Sequence, residues 1–265
     1  MYYSHMKRIL FVLVALVPYL ALAQNTTISR KSNEDRELAA SHKAMIIPFE
    51  PKLYMSEIDQ QINLETKLSA KEIKYKFRNG LNEELYKAFK FSKYNVLDLM
   101  EDTAKYKKEI ENIYQFLAYD YQKVPNQENY KAPEKEKKEK KINKGQLVVE
   151  TNSDARFMNA KITNGKLVPS LYINYKTDLF VFINELELKA AGSGNYDAYS
   201  VEKANRQIIV HYTIYTFDGK EINSGIATEE FDSELNVPKK IIEKHFSKIA
   251  ATIVSRLDKQ LFPKK

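Results

Sequence analysis

The chain has 265 residues, 43% of them hydrophobic, with 42 Lys and Arg against 35 Asp and Glu and no cysteine. That length is enough to bury a real core, as one large domain or two small ones. The lack of cysteine excludes a disulfide scaffold, thiol catalysis, cysteine-ligated zinc and lipid attachment through an N-terminal cysteine.

The chain opens on a leader. Met6-Lys7-Arg8 is a basic start, Ile9–Val17 is unbroken apolar sequence, and Ala21-Leu22-Ala23 offers a small-x-small cleavage site. The apolar stretch is shorter than the roughly 20 residues a spanning helix needs. Residues 1–23 therefore read as a secretory signal peptide, leaving an exported, periplasmic chain that starts at Gln24 and has no transmembrane span. Losing Lys7 and Arg8 takes the formal charge from +7 to +5. Export argues against nucleic acid as a partner and leaves peripheral contact with an anionic surface open.

Residues 24–43 are polar and read as a flexible lead-in. AMIIPF, Ala44–Phe49, is a short apolar run closed by prolines, which predicts a buried first strand. Ser69 and Glu72 form a capping box ahead of the stripe Ile73, Phe77, Leu81, Leu85 and Phe89, predicting an amphipathic helix to about Lys90. Gly80 inside it costs about 1 kcal/mol relative to alanine and suggests close packing. YNVLDL, Tyr94–Leu99, completes a βαβ start. Asp102–Tyr121 reads as a second helix. Residues 125–144 follow as a charged linker or loop, with seven lysines and three glutamates in KAPEKEKKEKKINK.

The second half continues with a strand at Gln146–Glu150, a turn at Asn164-Gly165, and a short helix or irregular segment over Leu167–Asn174. Leu179–Leu188 is the expected central strand. Gln207–Phe217 and Glu221–Glu230 form a hairpin about Asp218-Gly219. Pro238 opens a closing helix with Ile242, Phe246, Ile249, Ile253, Leu257 and Leu261 on one face. The fold class is thus α/β (or α+β): a mixed central sheet, a long capped helix and a closing C-terminal helix, with a helical and charged insertion. One domain over 44–262, interrupted at 125–144, carries these elements, and 263–265 is a basic tail.

Catalytic constellations are scarce. His42, His211 and His245 fall in no metal-ligand spacing, and Gly192-Ser193-Gly194 lacks the strand–nucleophile–helix setting that activates a serine. No catalytic residue, cofactor or metal ligand stands out. The binding candidates are Asp178, Glu185 and Glu187. In a strand, Glu185 and Glu187 share a face about 6.5–7 Å apart at Cα, a spacing compatible with paired-carboxylate chemistry. Alternation begins after Asn184, with Leu186 and Leu188 inward, so the two glutamates read as solvent-facing where cover on one face ends. Asp178 can join them only through the fold.

The AMIIPF strand, the helix from Ser69, YNVLDL, TDLFVFINELEL and the hairpin IIVHYTIYTFDGKEINSGIATEEF, closed by the helix from Pro238, resemble periplasmic TolB N-terminal-like and curli-assembly (CsgG-like) α/β domains. The chain is also similar to exported proteins of Bacteroidetes-type bacteria. By this resemblance Pro48-Phe49 ends the first strand, Asp178 heads the central strand and Asp218-Gly219 forms the hairpin turn. Residues 101–165 are an insertion relative to that pattern. The resemblance implies a non-enzymatic periplasmic binding or assembly protein that contacts another envelope protein. The alternative is a carboxylate-based or metal-dependent periplasmic hydrolase using Asp178, Glu185 and Glu187.

Overall fold

The computed structural model describes residues 33–125, 156–190 and 205–263. The chain enters through α1 (Asn33–Ser41), which buries Ala39 completely. The last part of the expected flexible lead-in is therefore helical, with Ala39 docked and Asn95 Nδ2 donating to Ala40 O at 2.7 Å. β1 (Lys43–Ile47) is buried beyond its first residue, as its apolar run requires. Two short elements come next, β2 (Tyr54–Ser56) and α2 (Asp59–Thr66). They bury Tyr54, Ile58 and Ile62, too sparse a pattern to signal them in advance.

α3 (Ala70–Phe91) starts at the expected box: Ser69 N–H donates to Glu72 Oε2 at 2.8 Å, and Glu72 N–H donates to Ser69 Oγ at 3.3 Å. Ile73, Phe77, Leu81, Leu85 and Phe89 are all fully buried. Gly80 faces Ile242, where a Cβ would come within 2.6 Å of the isoleucine side chain. β3 (Asn95–Asp98) returns parallel to β1, which makes the βαβ unit.

α4 (Thr103–Gln115) is shorter than its periodicity suggested. The expected helix to Tyr121 ends at Gln115, and the chain continues as β4 (Leu117–Lys123), antiparallel to β5 (Arg156–Ile162). Seven cross-strand pairs outweigh a helical preference that tyrosine-rich sequence supports weakly. The expected strand at 146–150 and the charged segment beyond Pro125 lie outside the described residues.

α5 (Leu167–Tyr175) resolves the short segment after Asn164-Gly165 as helix. β6 (Leu179–Lys189), β7 (Arg206–Thr216) and β8 (Glu221–Phe231) form the long antiparallel part of the sheet, with Gly219 at φ +79° in the hairpin turn. α6 (Pro238–Ile241), one π-helical turn (Ile242–Phe246) and α7 (Ser247–Leu261) make the closing helix.

The six-stranded sheet runs β3-β1-β6-β7-β8, with β2 extending the β1 side of β6. β1, β2, β3 and β6 are parallel, while β7 and β8 alternate, so the sheet is mixed as expected. α3 and the closing helix bury one face. α4, α5 and the β4–β5 ribbon cover the other. Among the described residues, no helix is long and apolar enough to cross a membrane.

Candidate metal centre

The phase change along β6 has a different cause from the one its sequence suggests. Leu179, Val181 and Ile183 pack on the α3 face, while Phe180 and Phe182 pack on the other. A bulge in the pairing with β7, between Ile183 and Glu185, shifts the alternation by one residue. Leu186 and Leu188 then continue the α3 face. Glu185 and Glu187 go to the opposite face, which the ribbon covers. Glu185 is 5% exposed, so it is not a solvent-facing edge carboxylate.

The ribbon meets this face with the edge of β5 that β4 leaves unpaired, and side chains of the main sheet satisfy its backbone. Met158 N–H donates to His211 Nδ1 at 2.8 Å and Ala160 N–H to Thr213 Oγ1 at 3.2 Å. The Tyr215 hydroxyl donates to Ala160 O, and Asn184 Nδ2, at the bulge, donates to Met158 O and Thr213 Oγ1. His211, Thr213 and Tyr215 succeed one another on one face of β7, a period of two that lets each reach the crossing strand. These bonds account for buried polar groups that would otherwise be costly.

His211 is the registered partner of Glu185 and lies between both glutamates. Its Nδ1 is 3.5 Å from Glu185 Oε2, and its Nε2 is 2.8 Å from Glu187 Oε1. The ring is 1% exposed, and despite that short distance Nε2 makes no aligned hydrogen bond. The proximity is therefore electrostatic contact, since a hydrogen bond needs direction as well as distance. Lys189 Nζ holds the other Glu187 oxygen at 2.6 Å, and the Tyr121 hydroxyl reaches Glu185 Oε2 at 3.4 Å.

The two carboxyl groups titrate apart. For Glu185, burial raises the pKa, His211 opposes the rise, Glu187 adds to it, and the balance is upward. Burial also raises that of Glu187, but its contacts with His211 and Lys189 outweigh burial and bring it down to about 2. Such divergence in adjacent carboxylates is typical of working sites.

One ligand atom from each of Glu185, Glu187 and His211 lies within 4.8 Å of the other two. Two carboxylates and an imidazole suit a borderline divalent ion such as zinc. His211 Nε2 is buried and, although 2.8 Å from Glu187 Oε1, makes no aligned hydrogen bond, so geometry does not already commit it to one partner.

Asp178 does not join this group. It sits just before the other end of β6, about 23 Å from Glu185 at the usual strand rise. There it accepts from His42 Nδ1 at 2.5 Å and Lys43 N–H at 2.6 Å, which ties β1 to β6. His245 lies 3.2 Å from Glu229 in the closing helix's contact with β8. His211, which falls in no metal-ligand spacing in the sequence, is one of the three residues of the candidate cluster. The available signal was its phase on β7, opposite to Val210 and Tyr212; its register with Glu185 was not readable. No family model matches the chain, and no curated protein does.

Proposed function

We propose that Glu185, Glu187 and His211 hold a divalent ion of the zinc class and that the protein is a metal-dependent hydrolase of the cell envelope. The observation that carries this reading is the convergence of three donors around a buried imidazole nitrogen that lacks an aligned hydrogen bond. Three protein ligands leave a coordination position for water, and an ion at that position makes the water a nucleophile near neutral pH. Lys189 occupies one oxygen of Glu187 and leaves the other, Oε1, turned to the ring. The Glu187 side chain is 16% exposed and Tyr121 is half exposed, so solvent approaches from their side. Asp178 has no part in this chemistry. The leader read over residues 1–23 supports a periplasmic site for this activity.

A second reading keeps the ion and drops the reaction. Glu185 and His211 are almost completely covered by the ribbon, as the ligands of a structural ion would be. The protein is then the non-enzymatic envelope-binding module that its TolB-like and curli-like sequence features suggest.

Cobalt substitution separates the two readings. The purified exported chain is stripped with chelator, titrated with Co2+, and then given a small hydroxamate. A 1:1 absorption spectrum that shifts on hydroxamate addition supports an open, catalytic position. An unshifted spectrum supports the structural ion. No spectrum in the parent, or an identical one in Glu187→Gln, overturns the site.

A further inference from the structure

The ring that would hold the ion also hooks the ribbon, and these two tasks compete. A neutral imidazole has two nitrogens and one proton. Nδ1 accepts the Met158 N–H at 2.8 Å, so the proton is on Nε2. An ion on Nε2 needs the lone pair there, which moves the proton to Nδ1. Nδ1–H would then face Met158 N–H, donor against donor, in a buried setting.

We infer that ion binding at Glu185, Glu187 and His211 releases Met158 from His211 and frees the adjoining end of the β4–β5 ribbon. This rests on the ion site proposed above and adds its regulation. The release is local. Ala160 N–H keeps Thr213 Oγ1, Ala160 O keeps the Tyr215 hydroxyl, and Met158 O keeps Asn184 Nδ2, none of which involves a ring nitrogen. The freed end carries Tyr121, the cross-strand partner of Met158, whose hydroxyl covers Glu185. Filling the site therefore loosens its own cover and opens the approach for a further ligand.

The test follows the 15N-labelled exported chain by NMR as Zn2+ is added to metal-free protein. Without zinc, His211 should be the Nε2–H tautomer, with the Met158 and Ala160 amides both protected from exchange. With one zinc per chain, the tautomer should switch to Nδ1–H. Met158 exchange should accelerate about tenfold or more while Ala160 stays protected. Zinc that binds without moving either signal overturns this inference and leaves the ion site standing. Zinc that does not bind overturns both. Met158→Pro deletes the competing N–H on the side of β5 that does not pair with β4. If circular dichroism shows the variant folded, it should bind zinc roughly fivefold more tightly, the value of about one net hydrogen bond. Unchanged or weaker binding by that folded variant counts against the competition.

Discussion

Thr213→Val removes the hydroxyl on which the docking of the ribbon turns. Thr213 is fully buried and uses its whole bonding capacity: it donates to Asn159 Oδ1 at 2.6 Å and accepts from Ala160 N–H at 3.2 Å and Asn184 Nδ2 at 2.8 Å. Valine has nearly the same shape, so packing changes little and the effect isolates the polar term. Three buried groups lose a partner, at about 1–3 kcal/mol each. Asn184 keeps Met158 O, and the Asn159 amide nitrogen keeps Glu221, so relaxation absorbs part of the loss. The expected cost is about 3–5 kcal/mol, a large share of a total stability of roughly 5–15 kcal/mol. Urea unfolding should show a lower midpoint with an unchanged slope. Hydrogen exchange should show the Ala160 amide losing protection ahead of the main sheet. A loss below about 1 kcal/mol, with Ala160 still protected, would refute the view that side chains of β7 hold the ribbon.

Gly80→Ala should destabilise by about 1–3 kcal/mol in urea, because the new methyl would lie 2.6–2.8 Å from Ile242 and overpacking outweighs the gain in helix propensity. Ile242→Ala in the same chain should recover part of that loss, and a Gly80→Ala variant more stable than the parent would contradict the close approach. Asp178→Asn should cost about 1–3 kcal/mol at pH 7 through the His42 and Lys43 bonds. Burial raises the pKa of Asp178, but those bonds outweigh it and leave it lowered in the fold. Its contribution is therefore complete above the unfolded value near 4 and is lost as pH falls through the folded one. Parent and variant midpoints should converge in acid, and a gap that persists there would mean the cost is not electrostatic. Glu185→Gln removes a buried charge whose ionisation burial opposes. Metal-free protein should melt no lower than the parent at pH 7 while cobalt binding is lost; retained cobalt binding would exclude Glu185 as a ligand.

The sequence by itself determined the elements whose information is local. The stripe from Ile73 to Phe89, the Ser69–Glu72 box, the Asp218-Gly219 turn and the face from Phe246 to Leu257 were all legible, because periodicity, capping and turn preference act within a few residues. The shared face of Glu185 and Glu187 was legible for the same reason. Their surroundings were not. One bulge beside Asn184 decides which face of β6 they occupy, and the arrival of β5 decides whether that face is wet or dry. Whether Tyr119 and Tyr121 belonged to a helix or a strand depended on a partner strand distant in sequence. His211 became a neighbour of both glutamates only through the β6–β7 register, and Asp178, just ahead of the same strand, was kept apart by the strand's rise. Tertiary structure decided these matters because pairing across strands joins residues whose identities carry no mark of their partners.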